Sequence, residues 1–194
     1  MLSQINDVND NPPRFEVSER SVQVRENEAG ALLAKLAVND SDTGDNARLR
    51  FFIRPAGPGR PKGLRDDTGF YRPGEDFLRK HIYLTSTGLG GGGGVAGGAG
   101  TVEVSSATAG VAVRVNQPLD YERLPNARFT FDVVAIDYGT PPMSASVRML
   151  VEVINVNDHA PVVRFYRHGK ALDPEYAQIE AGLHDHKHSS SKSV

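Results

Sequence analysis

Residues 128–136 read RFTFDVVAI and residues 144–154 read SASVRMLVEVI, with Gly139-Thr140-Pro141-Pro142 between them. Apolar and polar side chains alternate at period two through both stretches, which predicts two β-strands, and a short Gly/Pro connection suits a hairpin loop. Working outward, residues 21–38 read SVQVRENEAGALLAKLAV. This is strand, polar turn, strand. LRFFI at 49–53 is a further candidate, and strand character returns at 101–104 and 110–115. Many short strands separated by turn signals, with no long amphipathic helix, predict an all-β antiparallel sandwich.

The 194 residues are enough for one well-buried domain with tails and an insertion, and 39% hydrophobic with 24% charged residues is an ordinary globular balance. A formal net charge of -2 gives no global reason to expect nucleic-acid binding, so any partner has to be read from local clusters. The absence of cysteine removes disulfides, thiolate catalysis and Cys-ligated zinc together. No run of about 18 apolar residues is present, and the opening MLSQINDVND lacks the apolar centre of a signal peptide. If the parent protein is secreted or membrane-anchored, those segments are expected outside this stretch.

The middle of the chain breaks the strand pattern. Residues 55–100 contain PAGPGRPKG and GLGGGGGVAGGAG, with Phe70-Tyr71 and His81-Ile82-Tyr83-Leu84 as apolar islands. Such composition predicts a long, mostly flexible insertion at about 55–100. A phosphate-binding loop is the functional alternative, but neither a Lys-Ser/Thr pair nor a helix pattern follows the glycines. After residue 161 an apolar start gives way to HDHKHSSSKSV, whose His184, His186 and His188 alternate. A terminal tail explains them more simply than a transition-metal site, since no other ligand is tied to them.

Oxygen-bearing residues gather at the turns. Four clusters stand out: Asp7-Val8-Asn9-Asp10-Asn11-Pro12-Pro13, Asp40-Ser41-Asp42-Thr43-Gly44-Asp45-Asn46, Leu119-Asp120-Tyr121-Glu122 and Asn155-Val156-Asn157-Asp158-His159-Ala160-Pro161. Glu26 and Asp137 accompany them singly. Each alone reads as ordinary turn chemistry. Together they supply what a hard cation such as calcium takes, about 6 to 8 oxygens from carboxylates, amides and backbone carbonyls. The Asn-Asp-x-x-Pro signature occurs twice, around Asp10 and Asp158, which suggests the ends of two successive repeat units.

The order of these motifs resembles the extracellular repeat of the cadherin superfamily, and within it the protocadherin or Fat and Dachsous type. Asp-x-Asn-Asp-Asn-x-Pro comes first, then Glu-Asn-Glu, Asp-x-Asp-x-Gly-x-Asn, Leu-Asp-Tyr-Glu, Ala-x-Asp-x-Gly-x-Pro and the second Asn-Asp-x-x-Pro. The resemblance implies a seven-stranded Greek-key sandwich strung in tandem with similar repeats. It divides the chain into residues 1–13, the end of a preceding repeat and its linker; 14–161, the repeat; and 162–194, the start of a following repeat or a tail. It also implies Ca2+ in each linker. On the amino-terminal side the ligands would be Asn9, the Asn11 carbonyl, Asp40, Asp42, the Asn46 carbonyl and Asp137, with Asp7 and Asp10 facing ions shared with the preceding repeat. On the other side Glu26, Asp120, Glu122, the Val156 carbonyl and Asp158 would hold a second ion, while Asn157 would serve the next repeat, whose start Glu180 would mark. Asn155 stands where the family usually has Asp, and His159 where it usually has Asn.

The function implied is calcium-dependent cell-cell adhesion in the extracellular part of a membrane-anchored protein, not enzymatic. Its partners would be neighbouring cadherin repeats in the same chain and a cadherin on an opposing cell, homophilic or heterophilic. The chain has no Trp, so a terminal-Trp strand exchange is not available to it. The alternative is a calcium-independent immunoglobulin- or fibronectin-like binding sandwich. A glycosidase built on the Asp120/Glu122 or Asp40/Asp42 pairs lacks a nucleophile, base and orienter set. Asn39-Asp40-Ser41 is an N-glycosylation sequon, expected to go largely unused because a glycan there would crowd Asp40.

Overall fold

The computed structural model describes residues 7–57, 69–87, 101–104, 108–159, 166–167 and 170–171. The chain divides into two units, Met1–Val156 and Asn157–Val194. In the second, the two-residue strands β10 (Tyr166–Arg167) and β11 (Lys170–Ala171) pair antiparallel.

The first unit is a two-sheet sandwich. Its strands are β1 (Arg14–Phe15), β2 (Glu19–Arg25), β3 (Leu32–Asn39), β4 (Leu49–Pro55), β5 (Ile82–Ser86), β6 (Val102–Val104), β7 (Thr108–Val115), β8 (Arg128–Asp137) and β9 (Ser144–Ile154). One sheet has the order β1-β3-β7-β5 and the other β2-β9-β8-β4-β6. All neighbours are antiparallel except β2 and β9, which run parallel from Glu19↔Arg148 to Arg25↔Ile154. The opening segment is thus shared, β1 pairing in one sheet and β2 in the other. Taking β1 and β2 as halves of one strand leaves the seven of the expected sandwich, with β6 added as a short edge.

Alternation builds the core. Phe129, Phe131, Val133 and Ala135 of β8 face Phe51, Met149 and Val151 on the same sheet, and Leu36, Val38, Val111 and Val113 on the other; all belong to one buried cluster. Phe51, Phe129 and Phe131 are fully buried, each contributing about 2–3 kcal/mol of burial. The Phe129 and Phe131 rings lie 6.0 Å apart, and Phe77 meets Phe129 edge-on at 5.5 Å. Leu33 and Ala34 are both buried although adjacent, because the β3–β7 register shifts between Leu32 and Ala34.

The stretch expected to be an insertion, about 55–100, is corrected in its middle. Residues 69–87 belong to the sandwich: a short helix α1 (Glu75–His81) buries Leu78, and β5 buries Ile82 and Leu84 against β7. Tyr71 makes an isolated parallel bridge to β8, its backbone bonding on either side of Phe129. At its start the expectation is corrected too, since Pro55 ends β4 and Ala56 is buried; residues 58–68 and 88–100, the His184/His186/His188 set and Glu180 lie outside the described residues.

Asp132 is a buried acid of β8 that the alternation pattern did not single out. Arg148 Nε lies 3.3 Å from its Oδ1, Arg54 Nε 3.7 Å from its Oδ2, and the Gly57 amide donates to it at 3.2 Å. A cross-strand row Arg54–Asp132–Arg148 results, in which the register places two cations on either side of one anion.

Candidate metal centre

Strand β3 runs from the Glu26 turn to Asp40, and at about 3.3 Å per residue it separates two acidic sites by roughly 25 Å. At the far end of β3 the Asp42 amide donates to Asp40 Oδ1 at 3.0 Å, a turn that gathers both carboxylates of Asp-x-Asp on one side. Asp137 arrives from the end of β8. Its Oδ1 accepts the amides of Gly139 and Met143, each at 3.0 Å. The incoming segment before β1 closes this cup. Asn9 Nδ2 donates to the Pro141 carbonyl at 2.6 Å and to Asp137 Oδ1 at 3.2 Å, while Asn11 donates its amide N–H to Asp42 Oδ2 at 3.2 Å and its side-chain amide to Asp42 Oδ1 at 2.6 Å.

Asn9, Asp40, Asp42 and Asp137 are each less than a tenth exposed. A carbonyl can only accept, so the Pro141 contact identifies the Asn9 amide nitrogen as its donor and leaves Oδ1 as the other end of the amide. Asn9 Oδ1 and Asp40 Oδ2 are buried oxygens without a hydrogen-bond partner. Among the described residues no Lys, Arg or His forms an ion pair with Asp40, Asp42 or Asp137. Burial above all pushes the Asp40 pKa above its ordinary value; the Asp42 amide opposes this, and the carboxylates of Asp42, Asp137 and Asp7 add to it. An anionic pocket with orphaned oxygens is chemically suited to a hard cation.

Asp7 and Asn46 meet at the rim, where Asp7 Oδ2 accepts the Thr43 amide at 2.9 Å and the Asn46 side-chain amide at 3.1 Å. Those bonds hold the Asp7 pKa below its ordinary value. Asp10 Oδ1 accepts the Asn11 side-chain amide at 2.7 Å and is exposed. The Met143 amide had no marker of its own in the sequence, while Pro141 closes the Ala-x-Asp-x-Gly-x-Pro motif without signalling that its carbonyl would be used. Gly139 did have one. A Cβ there would sit 2.2 Å from Asn9 Cγ, so only glycine lets Asn9 lie against that turn.

The second cluster forms at the opposite end of the unit, where carboxylate oxygens of Glu26, Asp120 and Glu122 lie within 4.8 Å of one another. Its oxygens are better satisfied. Glu26, 2% exposed, accepts the Tyr121 amide at 2.9 Å and the Val156 amide at 2.7 Å. Asp120 accepts the Arg123 amide at 3.1 Å and pairs with Arg123 Nε at 3.2 Å. Asn155 donates to Glu122 Oε1 at 3.2 Å, a contact a carboxylate at that position would not make. Asn157, Asp158 and His159 lie in the second unit, where Asp158 Oδ1 is 2.7 Å from His159 Nδ1.

No family model matches the chain. Among curated proteins it is 30% identical over 164 residues to human protocadherin alpha-11, covering 84% of this chain and 13% of that protein. It is 29% identical over 162 residues to Drosophila melanogaster protein dachsous, covering 83% of this chain and 4% of the relative. The chain therefore spans only a small part of the relatives it matches. Among solved structures, protocadherin gamma B2 extracellular cadherin domains 3–6 superpose with a TM-score of 0.52 at 25% identity, over 88% of this chain and 30% of that one. The motif order, the two-sheet topology and these likenesses agree, and the chain carries a cadherin repeat of the kind found in protocadherins and dachsous.

Proposed function

We propose that the chain is a calcium-stiffened adhesion module in the extracellular part of a membrane-anchored cadherin-type protein. Residues 1–13 are the linker from a preceding repeat, 14–161 the repeat, and 162–194 the beginning of a following repeat or a tail. The observation that carries the reading is the buried set of Asn9, Asp40, Asp42 and Asp137, with two orphaned oxygens and, among the described residues, no cationic side chain paired to its carboxylates. Calcium there would take Asn9 Oδ1 and the three carboxylates, completed by the Asn11 and Asn46 carbonyls. It would relieve the repulsion felt by Asp40 and tie the incoming segment to the sandwich. Without it, the hydrogen bonds of Asp7, Asn9 and Asn11 hold the linker.

Rigid linkers turn tandem repeats into a rod. Such rods meet partner cadherins, like or unlike, on an opposing cell, and the other repeats of the parent chain are this unit's immediate neighbours. The test is thermal unfolding with calcium and with a chelator. At tenfold above a dissociation constant of about 0.1–1 mM, mass action adds about 1.4 kcal/mol, or roughly 3–6 °C in Tm. A calcium-independent binding sandwich would melt at the same temperature in both.

A further inference from the structure

We infer that Asn39 is an N-glycan acceptor whose sugar stands on the outer face of the β1-β3-β7-β5 sheet, clear of the calcium cup although its neighbour Asp40 lies inside it. Asn39-Asp40-Ser41 is the chain's single Asn-x-Ser/Thr tripeptide. The sequence alone argues against its use, since a glycan beside Asp40 would crowd the metal ligands. The fold removes that objection. Successive residues of a strand point to opposite faces, and here Val38 is 1% exposed in the core, Asn39 is exposed, and Asp40 is 2% exposed within the cup.

The surroundings accommodate a sugar. Asn39 ends β3 and is paired across the sheet with exposed Arg14 of the two-residue β1 and with Thr108 of β7. The next position on the same outer face is Ala37, exposed and opposite Gly110, where the side chain of Thr87 lies over the glycine and no larger one is needed to cover it. Ser41, whose hydroxyl the transferase requires, is also exposed. The transfer forms a bond from Asn39 Nδ2 to the anomeric carbon of a lipid-diphosphate-linked oligosaccharide. The lipid diphosphate leaves with the electron pair of the broken C–O bond, and the amide nitrogen gives up one proton.

A glycan so placed covers the outer face of the four-stranded sheet and leaves protein contacts to the five-stranded sheet and the two ends. The inference rests on the extracellular reading above for its biology, though not for its geometry. The test expresses the full chain behind an added signal peptide in cells that glycosylate. Peptide-N-glycanase should shift most molecules and convert Asn39 to Asp, with Asn39→Gln and Ser41→Ala abolishing the shift. Calcium-induced protection of residues 7–13 from hydrogen exchange should be the same, within about twofold in midpoint, before and after enzymatic deglycosylation under conditions that keep the fold. An unmodified Asn39 would overturn the inference, as would a glycan whose removal restores a calcium response it had blocked. Absence of any calcium response in glycosylated and Asn39→Gln chains alike would instead overturn the calcium reading and leave a demonstrated glycan standing.

Discussion

Gly139→Ala should loosen the linker while leaving the sandwich intact. The glycine does not need a positive φ, so alanine is tolerated by its backbone; what it cannot tolerate is Asn9, whose Cγ would lie 2.2 Å from the new methyl. Asn9 must withdraw, losing a bond of 2.6 Å to the Pro141 carbonyl and one of 3.2 Å to the charged Asp137. A neutral bond contributes about 1 kcal/mol and one to a charged group about 1.5–3, so after partial replacement by water the net loss is about 2 kcal/mol. That corresponds to roughly 30-fold. The assay is amide exchange at Asn11, whose N–H is held by Asp42 Oδ2, alongside calcium affinity by calorimetry. Both should weaken by about that factor, with strands β8 and β9 unaffected. Unchanged exchange at Asn11 and unchanged affinity would refute the claim that Asn9 closes the cup.

Asp40 makes a pH prediction with a definite sign. Its folded pKa lies above the ordinary value of 3.8, so folding takes up a proton between the two, and calcium-free stability falls as pH rises through that window. Asp40→Asn should flatten the fall in chelator melts while weakening calcium binding. Asp132→Ala leaves Arg54 and Arg148 without their shared carboxylate; because both arginines are more than a third exposed, the cost is nearer about 2 kcal/mol than the full price of a buried pair, or roughly 5 °C in Tm. Calcium affinity should not change in that variant. Arg123→Ala frees Asp120 from an ion pair whose arginine is 87% exposed, so affinity at the Glu26/Asp120/Glu122 cluster should rise, by no more than about fivefold, in calcium titrations.

The strands were legible where one face is buried over many residues. In β8 and β9 the inward set of Phe129, Phe131, Val133, Val147, Met149 and Val151 writes the period directly into the chain. It was not legible in 69–87, because α1 is only seven residues and buries Leu78 alone, while β5 alternates just Ile82 and Leu84; neither is long enough to outweigh the flanking Gly and Pro. The splitting of the first strand is equally hidden, since a bend between Phe15 and Glu19 changes the partner, not the pattern. At the site, Asp40, Asp42 and Asp137 come to one end of the sandwich because each sits at or just past a strand end, but unlike those of Glu26, Asp120 and Glu122 their oxygens are not gathered within 4.8 Å of one another. What composition could not show is which oxygens are already satisfied. Each Glu26 oxygen already accepts a backbone amide, from Tyr121 or Val156, whereas Asp40 Oδ2 accepts none, a difference set by local turn geometry.

The most direct test is to titrate calcium into the divalent-free chain while following hydrogen exchange at residues 7–13, in wild type and in Asp42→Asn. Wild type should gain protection along a saturating curve with a midpoint of about 0.1–1 mM, and Asp42→Asn, which keeps the shape but loses one charged ligand, should require several-fold more. Protection that stays flat in wild type to concentrations about tenfold above that range would contradict the cup as a calcium site.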